Sequence, residues 1–274
     1  MIDSFDYKEP SCKLCGGKEF YYPDKDAPLG RIPVKRIIEK LDGFFEKNDL
    51  EQAGKLLEYW QNEAVLLKDL QGELSIINEL LGYYRKVNLK EKGLNAVKRA
   101  NELITLLDSE FSLSSATIYL NMATTLKAFS YPEKALLLYD KAGLIYDKHQ
   151  DVEDSLIAGY YNNRALALVD LKEFIKAETC YHNALDKLKN SQNLFTDGAI
   201  TYVNMAHLYD EIKKPNMVTD CMFKACELLF DEKVIKNGYY AYVLEKCAPS
   251  FRFFGFDKIA NDLEKLSGEI YERN

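Results

Sequence analysis

The sequence predicts an all-α protein, an α-solenoid of about six helix pairs. Apolar residues recur at spacings of three and four along most of the chain, and one pattern repeats at intervals of about 42 residues. The first observation is typical of helices with one buried stripe. The second is typical of repeat architectures, whose units stack on one another. Alternating strand patterns are absent from the sequence.

The first 31 residues differ from the rest of the chain. Four of the seven prolines lie within residues 1–33, together with Gly16 and Gly17 and no sustained apolar period. Because proline and glycine break regular structure, residues 1–31 are expected to form an irregular segment. A single helical domain is expected over residues 32–274.

The repeat is clearest in the middle of the chain, where segments starting at Tyr119, Tyr161 and Tyr202 lie 42 and 41 residues apart. Other residues recur in the same phase: Asn121, Asn163 and Asn204; Ala123, Ala165 and Ala206; Ala142, Ala184 and Ala225. Pro132 and Pro215 also share a phase. Each is expected to be the first residue of a helix, where the missing N–H costs nothing.

The same phase extends towards both ends of the chain. Backwards, it places Ile77 and then Ile37 at the position of the repeated tyrosine. Forwards, the match over about residues 236–274 is poorer, because Glu264 fills a position that is apolar elsewhere and Pro249 is expected to interrupt the helix. A weaker last repeat is expected of a cap, whose outer face meets water.

These residues resemble the tetratricopeptide repeat (TPR). The pair that starts at Tyr161 fits with Ala165, Leu168, Ala177, Tyr181 and Ala184. The period of 40 to 42 residues exceeds the usual 34, and is similar to that of kinesin light chains and of bacterial peptide-pheromone receptors. The resemblance implies a right-handed superhelix of TPR-like helix-turn-helix pairs, in which small residues let the helices approach and aromatic residues fill the gaps.

The resemblance also implies that the first helix of each pair lines a concave groove, which holds an extended peptide or a partner helix. The groove-facing positions hold these candidate binding residues: Asn78, Asn121, Asn162, Asn163, Asn204 and His207. A side-chain amide both donates and accepts, so it can pair with a peptide backbone without reading its sequence. In the alternative, these asparagines bond to neighbouring helices or to solvent and have no ligand.

Cys12 and Cys15 form a C-x-x-C pair, which is half of a zinc ribbon. No second pair follows, and a structural zinc ion needs four ligands, so a metal site here would require remote residues or a second chain. We expect an ordinary pair of thiols and no cofactor, with a metal or redox role of Cys12 and Cys15 as the alternative. Phosphate loops, G-x-S-x-G and H-E-x-x-H motifs are also absent. The sequence therefore predicts that the protein is not an enzyme.

The charge disfavours several partners. Lys and Arg number 36 against 43 Asp and Glu, a net charge of −7, with no basic run. Neither a nucleic acid nor an anionic membrane is therefore expected to bind. The start MIDSFDYKEP lacks the apolar core of a secretory signal, and no stretch approaches 18 apolar residues, so a soluble cytoplasmic protein is expected.

The sequence thus predicts a non-catalytic adaptor or scaffold that binds a protein or peptide in its groove. The alternative is an intracellular sensor, in which a short peptide closes the superhelix. It would lack its own DNA-binding domain, because only about 31 residues precede the repeats. The aromatic run Phe251, Phe253, Phe254 and Phe256 either seals the last repeat or forms a contact surface, so a monomer or a homodimer through this repeat is expected.

Overall fold

A computed structural model describes residues 28–149 and 151–273. Within these ranges the chain forms α-helices, one short 3-10 helix (Gln192–Leu194) and no strand. The α-helices are α1 (Val34–Glu46), α2 (Leu50–Leu66), α3 (Leu70–Lys86), α4 (Lys90–Leu106), α5 (Leu113–Ala128), α6 (Pro132–Tyr146), α7 (Asp154–Asp170), α8 (Phe174–Leu188), α9 (Asp197–Glu211), α10 (Pro215–Leu229), α11 (Gly238–Phe253) and α12 (Asp257–Arg273). The prediction of an all-α protein is confirmed.

The helices pack as six consecutive pairs, from α1 with α2 to α11 with α12. The second helix of each of the first four pairs contacts the first helix of the next pair, and consecutive first helices contact each other throughout. This arrangement is a TPR-like α-solenoid, as the repeat predicts. Pro132 and Pro215 are the first residues of α6 and α10, which confirms the position predicted for them.

The turn inside each pair contains one residue in the left-handed conformation. These residues are Asn48, Asn88, Ser130, Lys172, Lys213 and Gly255, with φ from +53° to +84°. They lie 40, 42, 42, 41 and 42 residues apart, so the backbone repeats in the phase of the sequence. Only Gly255 is a glycine, the residue for which this conformation carries no steric penalty.

One local expectation is wrong, because Pro249 does not interrupt its helix. The helix α11 continues through it from Gly238 to Phe253. Pro249 is exposed, so water can bond to the carbonyl that loses its N–H partner. Glu264 is exposed as well, and it pairs with Arg252 at 2.7 Å, as suits the outer surface of a last repeat.

Small and aromatic residues alternate in the core. The repeated alanines have no exposed surface: Ala123, Ala142, Ala165, Ala184, Ala206 and Ala225. Tyr139, Tyr181 and Tyr209 are fully buried beside them. This packing agrees with the TPR pattern, in which the absence of a larger side chain lets the helices approach and an aromatic ring fills the remaining space.

An ion pair with a buried carboxylate joins the two helices of the second pair. Glu73 of α3 is 3% exposed, and its two carboxylate oxygens each accept a hydrogen bond of 2.8 Å from Arg99 of α4. Two parallel bonds fix the relative position of the two helices more closely than a single contact does.

The first helices of the pairs form a closed ring. Each contacts the next, and α11 returns to contact α1. At this contact a Cβ atom on Gly238, the first residue of α11, would lie 2.9 Å from the Cα atom of Glu46, the last residue of α1. The concave face of the superhelix is therefore the inner surface of a ring of six helices.

We expect Lys172→Gly to stabilise the protein. Lys172 has φ +61°, and a side chain in this region costs about 1–2 kcal/mol. Part of this gain is lost to the greater freedom of glycine in the unfolded chain, so a net gain of about 0.5–1 kcal/mol is expected. Urea unfolding measures it. The control is Lys189→Gly, since Lys189 has φ −47°, and an equal gain there would contradict the explanation.

Candidate functional site

The six predicted binding residues lie on four consecutive first helices. Asn78 belongs to α3 and Asn121 to α5, whereas α7 carries Asn162 and Asn163, and α9 carries Asn204 and His207. All six side chains are half-buried. All six lie on the inner helices of the ring, but they differ in whether their side chains already have hydrogen-bond partners.

Asn78 and Asn121 bond to each other. The Nδ2 of Asn121 donates to the Oδ1 of Asn78 at 2.8 Å, which links α5 to α3. Arg85 strengthens this joint, because its Nη1 donates to the backbone oxygen of Asn121 at 3.0 Å and to the hydroxyl of Thr125 at 3.1 Å. Burial lowers the pKa of Arg85, yet a guanidinium keeps its charge in proteins.

The same type of bond joins the next helices. The Nδ2 of Asn204 donates to the Oδ1 of Asn162 at 3.1 Å, linking α9 to α7. The Nε2 of His207 lies 2.8 Å from the hydroxyl oxygen of Ser250, linking α9 to α11. Five of the six candidates therefore have hydrogen-bond partners on neighbouring helices.

Asn163 differs from the other five residues. Its side chain is half-buried and forms no hydrogen bond with the described residues. The sequence phase groups Asn163 with Asn121 and Asn204, but those two reach back to an asparagine one position earlier in the preceding first helix. The amide of Asn163 thus keeps both N–H donors and its carbonyl oxygen for another partner.

Two glycines lie one helical turn from these asparagines. A Cβ atom on Gly159, four residues before Asn163, would meet no atom within 4 Å. On Gly82, four residues after Asn78, it would meet only the Nη2 of Arg85 at 3.9 Å. Glycine inside a helix costs about 1 kcal/mol relative to alanine, so each glycine leaves open space next to the backbone at a cost in stability.

Most other helical glycines have a packing reason. A Cβ on Gly54, Gly93 or Gly143 would collide with the ring of Tyr83, Phe129 or Tyr160, respectively. Open positions like those of Gly82 and Gly159 also occur at Gly43 of α1 and Gly268 of α12. Gly82 and Gly159 stand out because they adjoin the row of asparagines.

Charges of both signs accompany the amides. The Nδ2 of Asn78 donates to Glu79 at 3.2 Å, and burial raises the pKa of Glu79. Burial also raises the pKa of Asp42 on α1. Lys127 of α5 lies 3.5 Å from Asp170 of α7. Glu79 was not among the sequence candidates, although its position beside Asn78 could have drawn attention to it.

His207 lies in an aromatic corner at the end of the last two pairs. Its ring centre is 5.7 Å from that of Phe253 and 4.9 Å from that of Phe254. Burial lowers the pKa of His207 below its usual value of 6.5, so the ring is neutral at pH 7. Phe251 is fully buried, whereas Phe253 is 67% exposed. The aromatic run therefore seals the last pair and also leaves one ring in contact with solvent.

Residues 28–149 and 151–273 contain thiols and other side chains of the types that bind metal ions. Cys12 and Cys15 lie outside the described residues. Among those described, no group of three or more His, Cys, Asp or Glu could hold a metal ion. Burial raises the pKa of Cys221 to about 11 and that of Cys247 to about 12, so these thiols stay protonated at neutral pH. No helix in the described ranges is long and apolar enough to span a bilayer.

No family model and no curated protein matches the chain. Among solved structures, the chain is similar to a putative kinesin light chain from Podospora anserina with nearly identical TPR-like repeats, at 10% identity over 72% of this chain and 94% of that one, with a TM-score of 0.49. BtubC from P. vanneervenii gives 17% identity, coverage of 88% and 92%, and a TM-score of 0.46. A tetratricopeptide repeat protein from Parabacteroides merdae is 14% identical over 85% of this chain and 98% of that one, with a TM-score of 0.43.

We expect alanine substitutions to separate the bonded asparagines from the free one. Asn121→Ala and Asn204→Ala each remove a bond between helices, so each should lower the free energy of unfolding by about 1 kcal/mol. Asn163→Ala, a matched control on the same type of helix, should change it by less than about 0.5 kcal/mol. Urea unfolding compares the three. An equal loss in all three would mean that Asn163 also has a structural partner.

The lowered pKa of His207 predicts that the stability of the protein depends on pH. As the pH falls below 6.5, the unfolded chain takes up a proton at His207 before the folded chain does, so stability falls. Replacing the residue (His207→Gln) should remove this part of the loss between pH 7 and pH 5. Thermal unfolding at several pH values measures it, with His182→Gln on the exposed side of α8 as the control. Parallel pH curves for wild type and His207→Gln would refute the assignment.

Proposed function

We propose that the protein is a non-catalytic binding module that holds a protein or peptide segment against the inner face of its helix ring. The observation that carries the proposal is the juxtaposition of Gly159 and Asn163 on α7. One offers open space beside the helix backbone, and the other offers an amide with no partner among the described residues.

These two features fit an extended segment. A peptide in extended conformation presents backbone N–H and C=O groups at regular intervals, and an amide can bond to both. The missing side chain of Gly159 lets such a backbone come close to α7, one turn from Asn163. The cost of a helical glycine is then offset by contact with the ligand.

The bonded asparagines have a different role in this proposal. The pairs Asn78 with Asn121 and Asn162 with Asn204 hold neighbouring inner helices together. Each pair uses one donor and one acceptor, so further groups remain for a ligand. A surface whose side chains are already fixed by such bonds loses less conformational entropy on binding than a mobile one.

The chemistry of the inner face indicates the type of partner. Amides, Arg85 and Glu79 lie along it, which favours a polar or mixed segment over an apolar helix. With a net charge of −7, a nucleic acid is disfavoured. We therefore propose a protein or peptide partner, met in the cytoplasm, and a protein that acts as an adaptor or scaffold.

The test is selection of a phage-displayed library of random linear peptides against the full-length protein. Peptides enriched by the wild type should be lost with Gly159→Leu, which places a side chain in the open space; its Cβ atom would meet no atom within 4 Å in the unliganded protein. Asn163→Ala should weaken the same peptides about fivefold or more, since one net hydrogen bond contributes about 1 kcal/mol.

The matched control is Gly268→Leu, at an open and exposed glycine on α12. It should leave the enriched peptides unchanged. Peptides that bind all variants equally would place the binding surface away from α7, and the proposal would be wrong. Circular dichroism of each variant separates lost binding from lost folding.

A further inference from the structure

The ring of first helices closes at a contact unlike the others. Every other joint in the ring connects pairs that follow one another in sequence, but α11 meets α1 across the whole chain. The contact rests on Gly238, which is buried against the backbone of Glu46. A Cβ atom there would lie 2.9 Å from the Cα of Glu46 and 3.3 Å from its carbonyl oxygen, so only glycine fits without movement.

A lysine bridges the two sides of this contact. Lys86, the last residue of α3, has its Nζ 4.8 Å from the ring centre of Tyr242 on α11 and 5.6 Å from that of Phe45 on α1. The face of an aromatic ring attracts a cation at these distances. One ammonium group thus joins the first, second and last helix pairs.

Among residues 28–149 and 151–273, no cluster of buried apolar residues spans the contact between α11 and α1. The buried apolar residues of the chain form two large clusters, one from Ile32 to Ala167 and the other from Ala165 to Ile270. Phe45 packs against the first cluster and Tyr242 against the second. The two clusters meet instead at Leu136 and Tyr161, which pack against both. Separating α11 from α1 therefore leaves each cluster intact.

We propose that the contact of α11 with the ends of α1 and α3 is a latch, and that the ring opens by releasing this latch while every helix pair stays folded. The latch adjoins the inner face, because Lys86 follows Arg85, which bonds to Asn121 and Thr125 of α5. The latch itself does not depend on the proposed function. Its coupling to a bound segment does, since a segment that engages Arg85 would act on the turn that carries Lys86.

The experiment is small-angle X-ray scattering of the full-length protein without any ligand. Gly238→Leu forces α11 away from α1, so the maximum dimension should grow by about 10 Å, the width of one helix. Lys86→Met keeps the apolar stem and removes the cation, and should shift the radius of gyration in the same direction by a smaller amount. The controls are Gly268→Leu and Lys141→Met, since Lys141 lies over Tyr119, away from the latch. Both should match the wild type.

Far-UV circular dichroism identifies which variants are folded. Scattering curves of folded Gly238→Leu and Lys86→Met that superpose on the wild type would overturn the proposal. If Gly238→Leu loses its helical signal, opening is not independent of folding and the proposal also fails, whatever Lys86→Met shows. Neither result involves a peptide, so the latch can fail while the binding function holds, and the binding function can fail while the latch holds.

Discussion

The close approach of helices at alanine positions is the constraint on which this structure depends. At least one alanine in each helix of the third, fourth and fifth pairs is fully buried, and a larger side chain there would push the helices apart. The tyrosines beside them fill the space that the alanines leave. Since each pair buries its apolar face only against its neighbours, a change at one alanine alters the angle between pairs as well as the local packing.

That angle, added over six pairs, brings the last pair back to the first. Polar side chains link the inner helices to one another, through two asparagine pairs and a histidine–serine bond. Elsewhere in the fold, the helices pack through the buried alanines. Polar bonds suit this surface because it is only half-buried, and an unpaired amide there can still be hydrated. Most of the predicted side chains on the inner face are fixed by hydrogen bonds, whereas Gly159 and Gly82 leave open space beside their helices and Asn163 has no hydrogen-bond partner among the described residues.

The fold could be predicted from the sequence because the same residue types recur in each repeat. Tyrosine, alanine and helix-starting proline recur in one phase, and local packing or backbone geometry explains each of them. The site could be predicted only in part. Phase placed Asn121, Asn163 and Asn204 in one class, but their bonds depend on the offset between neighbouring helices, which is a property of the packed pairs. Ring closure could not be predicted for the same reason, because it depends on the sum of the small rotations between successive helix pairs. Pro249 was misjudged because its exposure was unknown.

The closed ring changes how the terminal pairs lose structure. In a linear array of repeats the end units have one neighbour each, so they fray first and exchange their amide hydrogens fastest. Here the end of α1 and the start of α11 cover each other at Glu46 and Gly238. Each terminal pair therefore has a neighbour on both sides. The two ends of a linear solenoid are neighbours here, so loss of structure at either terminal pair should begin with release of the contact between α1 and α11.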